Sequence, residues 1–286
     1  MRICHGMAIL LSGALLGASM TSMAARGPDM PVVGMVWQPD YPTRNPQGNW
    51  EQLGVQKLLV QWSAAGDYNF VDGCNSTTPI TDLPDWSRIA AEPWAQDVIL
   101  GLAGDFDEPK ARRSLELLVE RSRCLAALMT PLRVSGWYFP VEADPTWTGV
   151  TRLGPLLNQL PRPLWISVYD NSNIGADALA DWLDTWLPAD VGVFFQDGVG
   201  VYARDASVAM DYLKVLQRRL GKDRVRLIAE IFRPALGGGF RAATADEMLP
   251  QLRAYTGEQV YLFEGPHYLT PPQVLEVKRA WNEAPR

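Results

Sequence analysis

Short apolar runs in this sequence repeatedly end on a carboxylic acid. Tyr138-Phe139-Pro140-Val141 runs into Glu142 and then Ala143-Asp144, and Phe195-Gln196 runs into Asp197. Ala229 leads into Glu230, Leu262-Phe263 leads into Glu264, and Asp105 stands just beyond a further run. An acid embedded in apolar sequence is costly to bury unless it is paired or wet. Four at corresponding places point to a shared polar cavity. The opposing reading is a solvated rim in which they pair with Arg204, Arg233 and Arg241, which also follow apolar runs.

Aromatic residues keep the same company: Trp37, Trp62, Tyr138, Tyr169, His267 and Tyr268, with Trp147 in the stretch after Glu142. A sugar ring has an apolar C–H face and a hydroxylated edge, so flat rings beside carboxyl groups suit a saccharide. Two carboxyl groups also suffice to break a glycosidic bond, one protonating the leaving oxygen and the other attacking or stabilising the anomeric carbon. Glu142 is the expected acid/base and Glu230 the expected nucleophile of a retaining reaction. Trp37, Trp62, Tyr138, Asp144, Trp147, Tyr169, Asn171, Gln196, Asp197, Glu264, His267 and Tyr268 are expected to line the substrate. Such chemistry calls for no cofactor and no metal. Two other readings use the same residues: a non-catalytic saccharide-binding accessory of a polysaccharide pathway, and a metal-assisted enzyme holding Mg²⁺ or Ca²⁺ on Asp197, Glu230 and Glu264.

Composition narrows the field. The chain has 286 residues, 11 Trp and 2 His, at a net charge of −6. With His5 near the start and His267 the other, a zinc site built on two or three histidines of the mature chain is excluded. The acidic balance and the absence of a Lys/Arg cluster argue against nucleic acid as a partner. MRICHG followed by MAILLSGALLGASM reads as a signal peptide over residues 1–24, too short in its apolar part to be a stable anchor. Ser22-Met23-Ala24 supplies the small residues at which it would be cut. The mature chain, 25–286, is expected in the periplasm or secreted, off the membrane, with a carbohydrate as its partner. Cys4 leaves with the leader. Cys74 and Cys124 then remain in an oxidising compartment, either as a disulfide joining a loop to a helix end or as separate thiols.

The elements that must position these groups read as a regular series. Strands are expected at Val32–Trp37, Lys57–Trp62, Val98–Leu102, Val134–Val141, Leu164–Tyr169, Val191–Gln196, Val225–Ile231 and Gln259–Phe263. Helix-spaced apolar stripes lie between most of them. One runs through Leu115, Leu118, Val119 and Ser122 of a helix starting near Pro109. Others are Leu179/Trp182/Leu183/Trp186, Met210/Leu213/Leu216/Leu220, Leu249/Leu252 and Val274/Val277/Trp281. The weakest is a single turn at Trp50–Gly54. Eight β/α alternations in one domain of this size indicate a (β/α)8 TIM barrel, whose active sites lie at the C-terminal ends of the strands. A doubly wound open sheet is the runner-up, but Met35–Pro39 lacks the glycine-rich turn expected after its first strand. Trp165, Trp182 and Trp186 are expected to pack, and Trp37, Trp62 and Trp147 to face substrate.

Four segments in this order carry a family resemblance: GWYFPVEAD (Gly136–Asp144), WISVYDN (Trp165–Asn171), FFQDGVG (Phe194–Gly200) and FEGPHYLTP (Phe263–Pro271). Together they resemble a bacterial domain-of-unknown-function family described as TIM-barrel glycosyl hydrolases, over most of the mature chain. The resemblance implies a barrel and a glycosidase activity. A looser one is to the large retaining glycosidase clan with its acid/base after the fourth strand and its nucleophile after the seventh, the places of Glu142 and Glu230. That clan has Asn before the acid/base, where this chain has Val141. Either Asn171 or Gln196 takes over that contact, or Asp197 is catalytic and one of the two glutamates only binds.

Overall fold

The computed structural model describes residues 29–74 and 78–283, so the expected leader at residues 1–24 lies outside the described residues. Eight parallel strands close into a barrel in sequence order. They are β1 (Val32–Trp37), β2 (Lys57–Val60), β3 (Asp97–Gly101), β4 (Val134–Tyr138), β5 (Leu164–Val168), β6 (Val191–Gln196), β7 (Val225–Glu230) and β8 (Val260–Phe263). Each lies within a residue or three of the span its apolar run suggests. The closed order makes the fold a single TIM barrel and disposes of the open sheet.

Successive side chains on a strand point to opposite faces, and here that alternation separates two cores. Val36, Leu59, Ile99, Tyr138, Trp165, Phe194, Ile228 and Tyr261, one from each strand, pack together inside the barrel. Their strand neighbours Trp37, Leu58, Leu100, Ile166, Phe195, Leu227, Ala229 and Leu262 belong to the outer core beneath the helices. The interior aromatics fit because small residues stand beside them. A Cβ on Gly192 would lie 2.3 Å from the Trp165 ring, and one on Gly34 would lie 2.4 Å from the Tyr261 ring. Arg226 closes this layer, its guanidinium 3.9 Å from the Trp165 centroid and its Nη1 donating to Tyr261 Oη at 3.1 Å.

The helices are α1 (Trp86–Ala90), α2 (Glu108–Arg113), α3 (Leu115–Ala126), α4 (Leu153–Leu157), α5 (Ala176–Asp184), α6 (Ala206–Leu220), α7 (Ala245–Ala254), α8 (Gly265–Tyr268) and α9 (Pro271–Glu283). The turn near Trp50 is a 3-10 helix, Trp50–Leu53. The helix expected from Pro109 is broken at Ser114 into α2 and α3; α2 takes Asp107 as its cap, with Asp107 Oδ1 accepting from Lys110 N–H. Two small sheets decorate the C-terminal end and have no counterpart in the sequence reading. One is four-stranded, from Ala64–Ala65, Tyr68–Asn69, Thr78–Pro79 and Ala103–Gly104; the other is a hairpin of Phe232–Pro234 with Phe240–Ala242. Cys74 and Cys124 are joined as a disulfide that ties the first sheet's loop to the end of α3. Among the described residues no helix is long and apolar enough to cross a membrane.

Two expected outcomes follow from this packing. Gly192→Ala drives a methyl into a ring that Arg226 and Phe194 already hold, and urea unfolding should show a loss of about 1–3 kcal/mol. Replacing both cysteines by serine frees a long loop and should cost about 2–4 kcal/mol in the same assay.

Candidate active site

Alternation along the strands places the candidate residues. Ile228 faces the barrel interior, so Glu230 two residues on does too; by the same count Gln196 follows Phe194 inward and Tyr169 follows Trp165 and Ser167 inward. Tyr138 forms the floor, its hydroxyl donating to Ser167 Oγ at 2.8 Å. Glu142 enters from the loop after β4 and accepts from Gln196 Nε2 at 2.7 Å. Glu142, Tyr169, Gln196 and Glu230 are thus gathered at one opening. The charges of Glu230 and Glu142, after burial itself, push the Tyr169 hydroxyl up to about 12.

Glu142 is held by its backbone as well as its side chain. Glu108 Oε1 accepts from Glu142 N–H at 3.0 Å, and Arg112 Nη2 donates to Glu142 C=O at 2.9 Å. Glu108 and Arg112 are themselves paired one turn apart on α2, at 3.1 Å. One helix turn therefore grips both polar groups of the Glu142 peptide. Burial, then the nearby Glu142 charge, raises the Glu108 carboxyl to about 8.

Glu230 is only 4% exposed. Its Oε2 accepts from Gly200 N–H at 2.8 Å. Its carboxyl is raised to about 8, first by burial and then by the charge of Asp197. Asp197 faces the other way, outward under α7. Its carboxylate accepts from Val199 N–H (3.1 Å), Glu230 N–H (3.2 Å), Gln251 Nε2 (2.5 Å) and Tyr255 Oη (2.7 Å). Burial raises Asp197 as well, against the pull of these donors. Both of its oxygens are occupied by the protein, so Asp197 supports the end of β7 and does not line the opening.

The other expected site residues divide between covered and open places. Trp37 is wholly buried on the outer face of β1, 5.5 Å from Trp86, because its neighbour Val36 takes the inward position. Trp62 lies beyond the end of β2 and is covered, its Nε1 donating to Pro39 C=O. Trp147 is half-buried with Arg112 over its ring at 5.1 Å. Asp144 is buried and binds the loops together, accepting from Thr146 and from Asn171 N–H at 3.0 Å; Asn171 itself is exposed on the rim. Glu264 is fully buried, caps α8 through His267 N–H, and bonds His267 Nδ1, whose Nε2 reaches Asp40 at 3.0 Å. Glu264 and then Asp40 raise His267 to about 9. Tyr268 lies against Phe232, 5.4 Å between centroids.

The rim arginines do not pair with these acids. Arg204 donates to the carbonyls of Asp170 and Asp197, and Arg233 to those of Glu230 and Phe232, while Arg241 pairs with Glu247. Asp105 pairs with Lys110. Among the described residues, no group of three or more His, Cys, Asp or Glu side chains is placed to hold a metal ion. Glu108, Arg112 and Tyr255 are the supporting residues that sequence reasoning missed, while Arg204, expected as an ion-pair partner, donates to backbone carbonyls instead. Glu108 alone left a signal, as another acid shortly after a strand.

No family model matches the chain, and no curated protein matches it. Among solved structures it is similar to a candidate alpha-L-fucosidase from Bacteroides thetaiotaomicron, at 15% identity and a TM-score of 0.57, covering 96% of this chain and 99% of that one. It also matches the PgaB (BpsB) glycoside hydrolase domain from Bordetella bronchiseptica at 12% identity and a TM-score of 0.48, covering 90% of this chain and 100% of that one. At these identities the first likeness establishes a shared fold.

The raised carboxyls fix the direction of a pH dependence. Between about pH 4.5 and 8 the folded protein keeps protons on Glu108 and Glu230 that the unfolded chain has lost, so stability falls as pH rises through that window. His267 adds to the fall between about 6.5 and 9, since its folded form holds its proton longer. Melting temperature measured from pH 5 to 9 should decline, and Glu108→Gln should make the decline shallower below pH 8. An unchanged slope in Glu108→Gln would count against the raised Glu108 carboxyl.

Proposed function

We propose that the protein is an exported glycoside hydrolase that cleaves a poly- or oligosaccharide by a two-carboxylate mechanism with retention. The observation that carries this reading is the contrast between two glutamates sharing one opening. Glu230 sits in an apolar strand end that holds its proton near neutral pH, whereas Glu142 is partly exposed and accepts an amide hydrogen from Gln196. Paired carboxyls whose environments separate their proton affinities are what acid-assisted glycoside cleavage requires.

That contrast favours exchanging the roles expected from sequence. Glu230, protonated, gives its proton to the leaving oxygen; the Glu142 side chain attacks the anomeric carbon. Glu230, now a carboxylate, then takes a proton from the water that releases the sugar. Gln196, which donates to Glu142 at 2.7 Å, takes over the contact of the Asn missing before Glu142, and Tyr169 is close enough to feel the charge of both acids. Resemblance of the GWYFPVEAD and FFQDGVG segments to the glycosyl hydrolase family supports the same reading. The leader-like residues 1–24 and the Cys74–Cys124 disulfide support action outside the cytoplasm.

Glu142→Gln and Glu230→Gln should each lower kcat on natural glycosides by about 10²–10⁴ without loss of fold. Leaving-group dependence assigns the roles. On an aryl glycoside that departs without protonation, Glu230→Gln should recover much of its rate and Glu142→Gln should not. Proton NMR of the first-formed product should show the starting anomeric configuration. Full activity in both variants would end the assignment, whereas a wild-type chain that binds the sugar without cleaving it would favour a saccharide-binding role.

A further inference from the structure

β3 and β7 are four places apart in the closed order of eight, so the loops that follow them face each other across the mouth. Each carries half-exposed aromatic side chains. After β3, Phe106 is 53% exposed and meets two rings of the loop after β2, Trp62 edge-on at 5.2 Å and Tyr68, 57% exposed, at 6.3 Å. After β7, Phe240 on the hairpin is 51% exposed and rests on Phe232 at 4.6 Å.

Both groups connect inward to a candidate catalytic acid. Phe106 stands two residues before Glu108, whose carboxyl holds the Glu142 peptide. Phe232 stands two residues after Glu230, and a Cβ on Gly200 would touch both Phe232 and the Glu230 carboxyl at 2.9 Å. A single exposed ring is ordinary. Rings on opposite rims, one joined to Glu230 through Phe232 and the other two residues from the Glu108 that holds the Glu142 peptide, form the ends of a path across the mouth. The path offers flat apolar faces at its ends and hydrogen-bonding groups in its middle, which matches a row of sugar rings. The Glu142 carboxylate along it, on a chain of net charge −6, disfavours a saccharide bearing acidic groups.

We propose that an extended, non-acidic saccharide chain lies across the mouth from Phe106 to Phe240, passing over Glu142 and Glu230, and is cut at internal bonds. The cutting half of this statement rests on the hydrolase reading; the binding half does not and is measured without turnover. The full chain carrying Glu142→Gln serves as host. Its affinity is determined by calorimetry for di- to octasaccharide ladders from cellulose, xylan, mannan and chitosan.

Affinity for at least one ladder should rise up to six sugars or more. Phe106→Ala and Phe240→Ala in that host should each lower the ratio of octasaccharide to disaccharide affinity about three- to tenfold. Met129→Ala serves as the control; Met129 is 98% exposed, between α3 and β4 at the far end of the barrel. The wild-type chain should shorten the polymer by internal cuts, read as early loss of viscosity. Affinity that stops growing by the trisaccharide, ratios within twofold of the host, or binding to none of the ladders overturns the proposal. Length-dependent binding without cleavage by the wild type leaves the path standing and removes the hydrolase reading. Cleavage that releases only terminal sugars keeps the hydrolase reading and overturns the claim of internal cuts.

Discussion

Every placement in this molecule depends on the two-residue alternation of the barrel strands. Once the barrel closes, each strand residue must face either the interior or the helices, and no third environment exists below the mouth. The eight interior residues and their outward neighbours divide cleanly on this rule. The interior is crowded with Tyr138, Trp165, Phe194 and Tyr261, so it is a plug that gives the mouth a solid floor. The polar groups that open to the mouth lie at the last position of a strand or beyond it, where the plug ends. Gln196 and Glu230 sit there; Tyr169 and Glu142 lie just past it.

The same rule gives two adjacent acids opposite fates. Glu230 ends β7 facing in, and Asp197 follows β6 facing out. Asp197 meets α7 and the tyrosine after it, accepts a hydrogen bond at each available position, and holds the Glu230 N–H. Its charge is close enough to raise Glu230 yet shielded from anything entering the mouth. A buried acid that already has its donors is costly to leave unpaired and would be displaced by no ligand. Asp197 therefore acts on the mouth only through Glu230, by holding its backbone and by making its ionisation harder.

How much of this was legible in the sequence follows from which interactions are local. Strand and helix periodicity are local, and the eight β/α units were readable nearly to the residue at β1 and β6. Strand parity is local too, and it was the unused signal. Trp37 directly follows the inward Val36, and Asp197 follows the inward Gln196, so a count of two from the interior layer would have turned both outward. The grip of Glu108 and Arg112 on the Glu142 peptide was not legible. It depends on a loop after β3 bringing a short helix against a loop after β4, a meeting that no spacing within either segment specifies. The Phe232–Pro234 hairpin was hidden for a similar reason, since Gly237, Gly238 and Gly239 between its two strands carry no apolar pattern.

The arrangement around Glu142 carries a consequence for how the two acids can differ in chemistry while sharing one mouth. A carboxyl on a barrel strand, such as Glu230, inherits its orientation and its desolvation from the strand, and both are rigid. A carboxyl on a loop inherits neither and must be oriented from outside. The α2 clamp supplies that orientation through the backbone, which leaves the Glu142 side chain free for Gln196 and for solvent. Had the clamp gripped the carboxylate itself, Glu142 would have lost its capacity to act on anything else, as Asp144 and Glu264 have. Holding the peptide of one acid and burying the side chain of the other is how the fold keeps one wet and one dry carboxyl at the same opening.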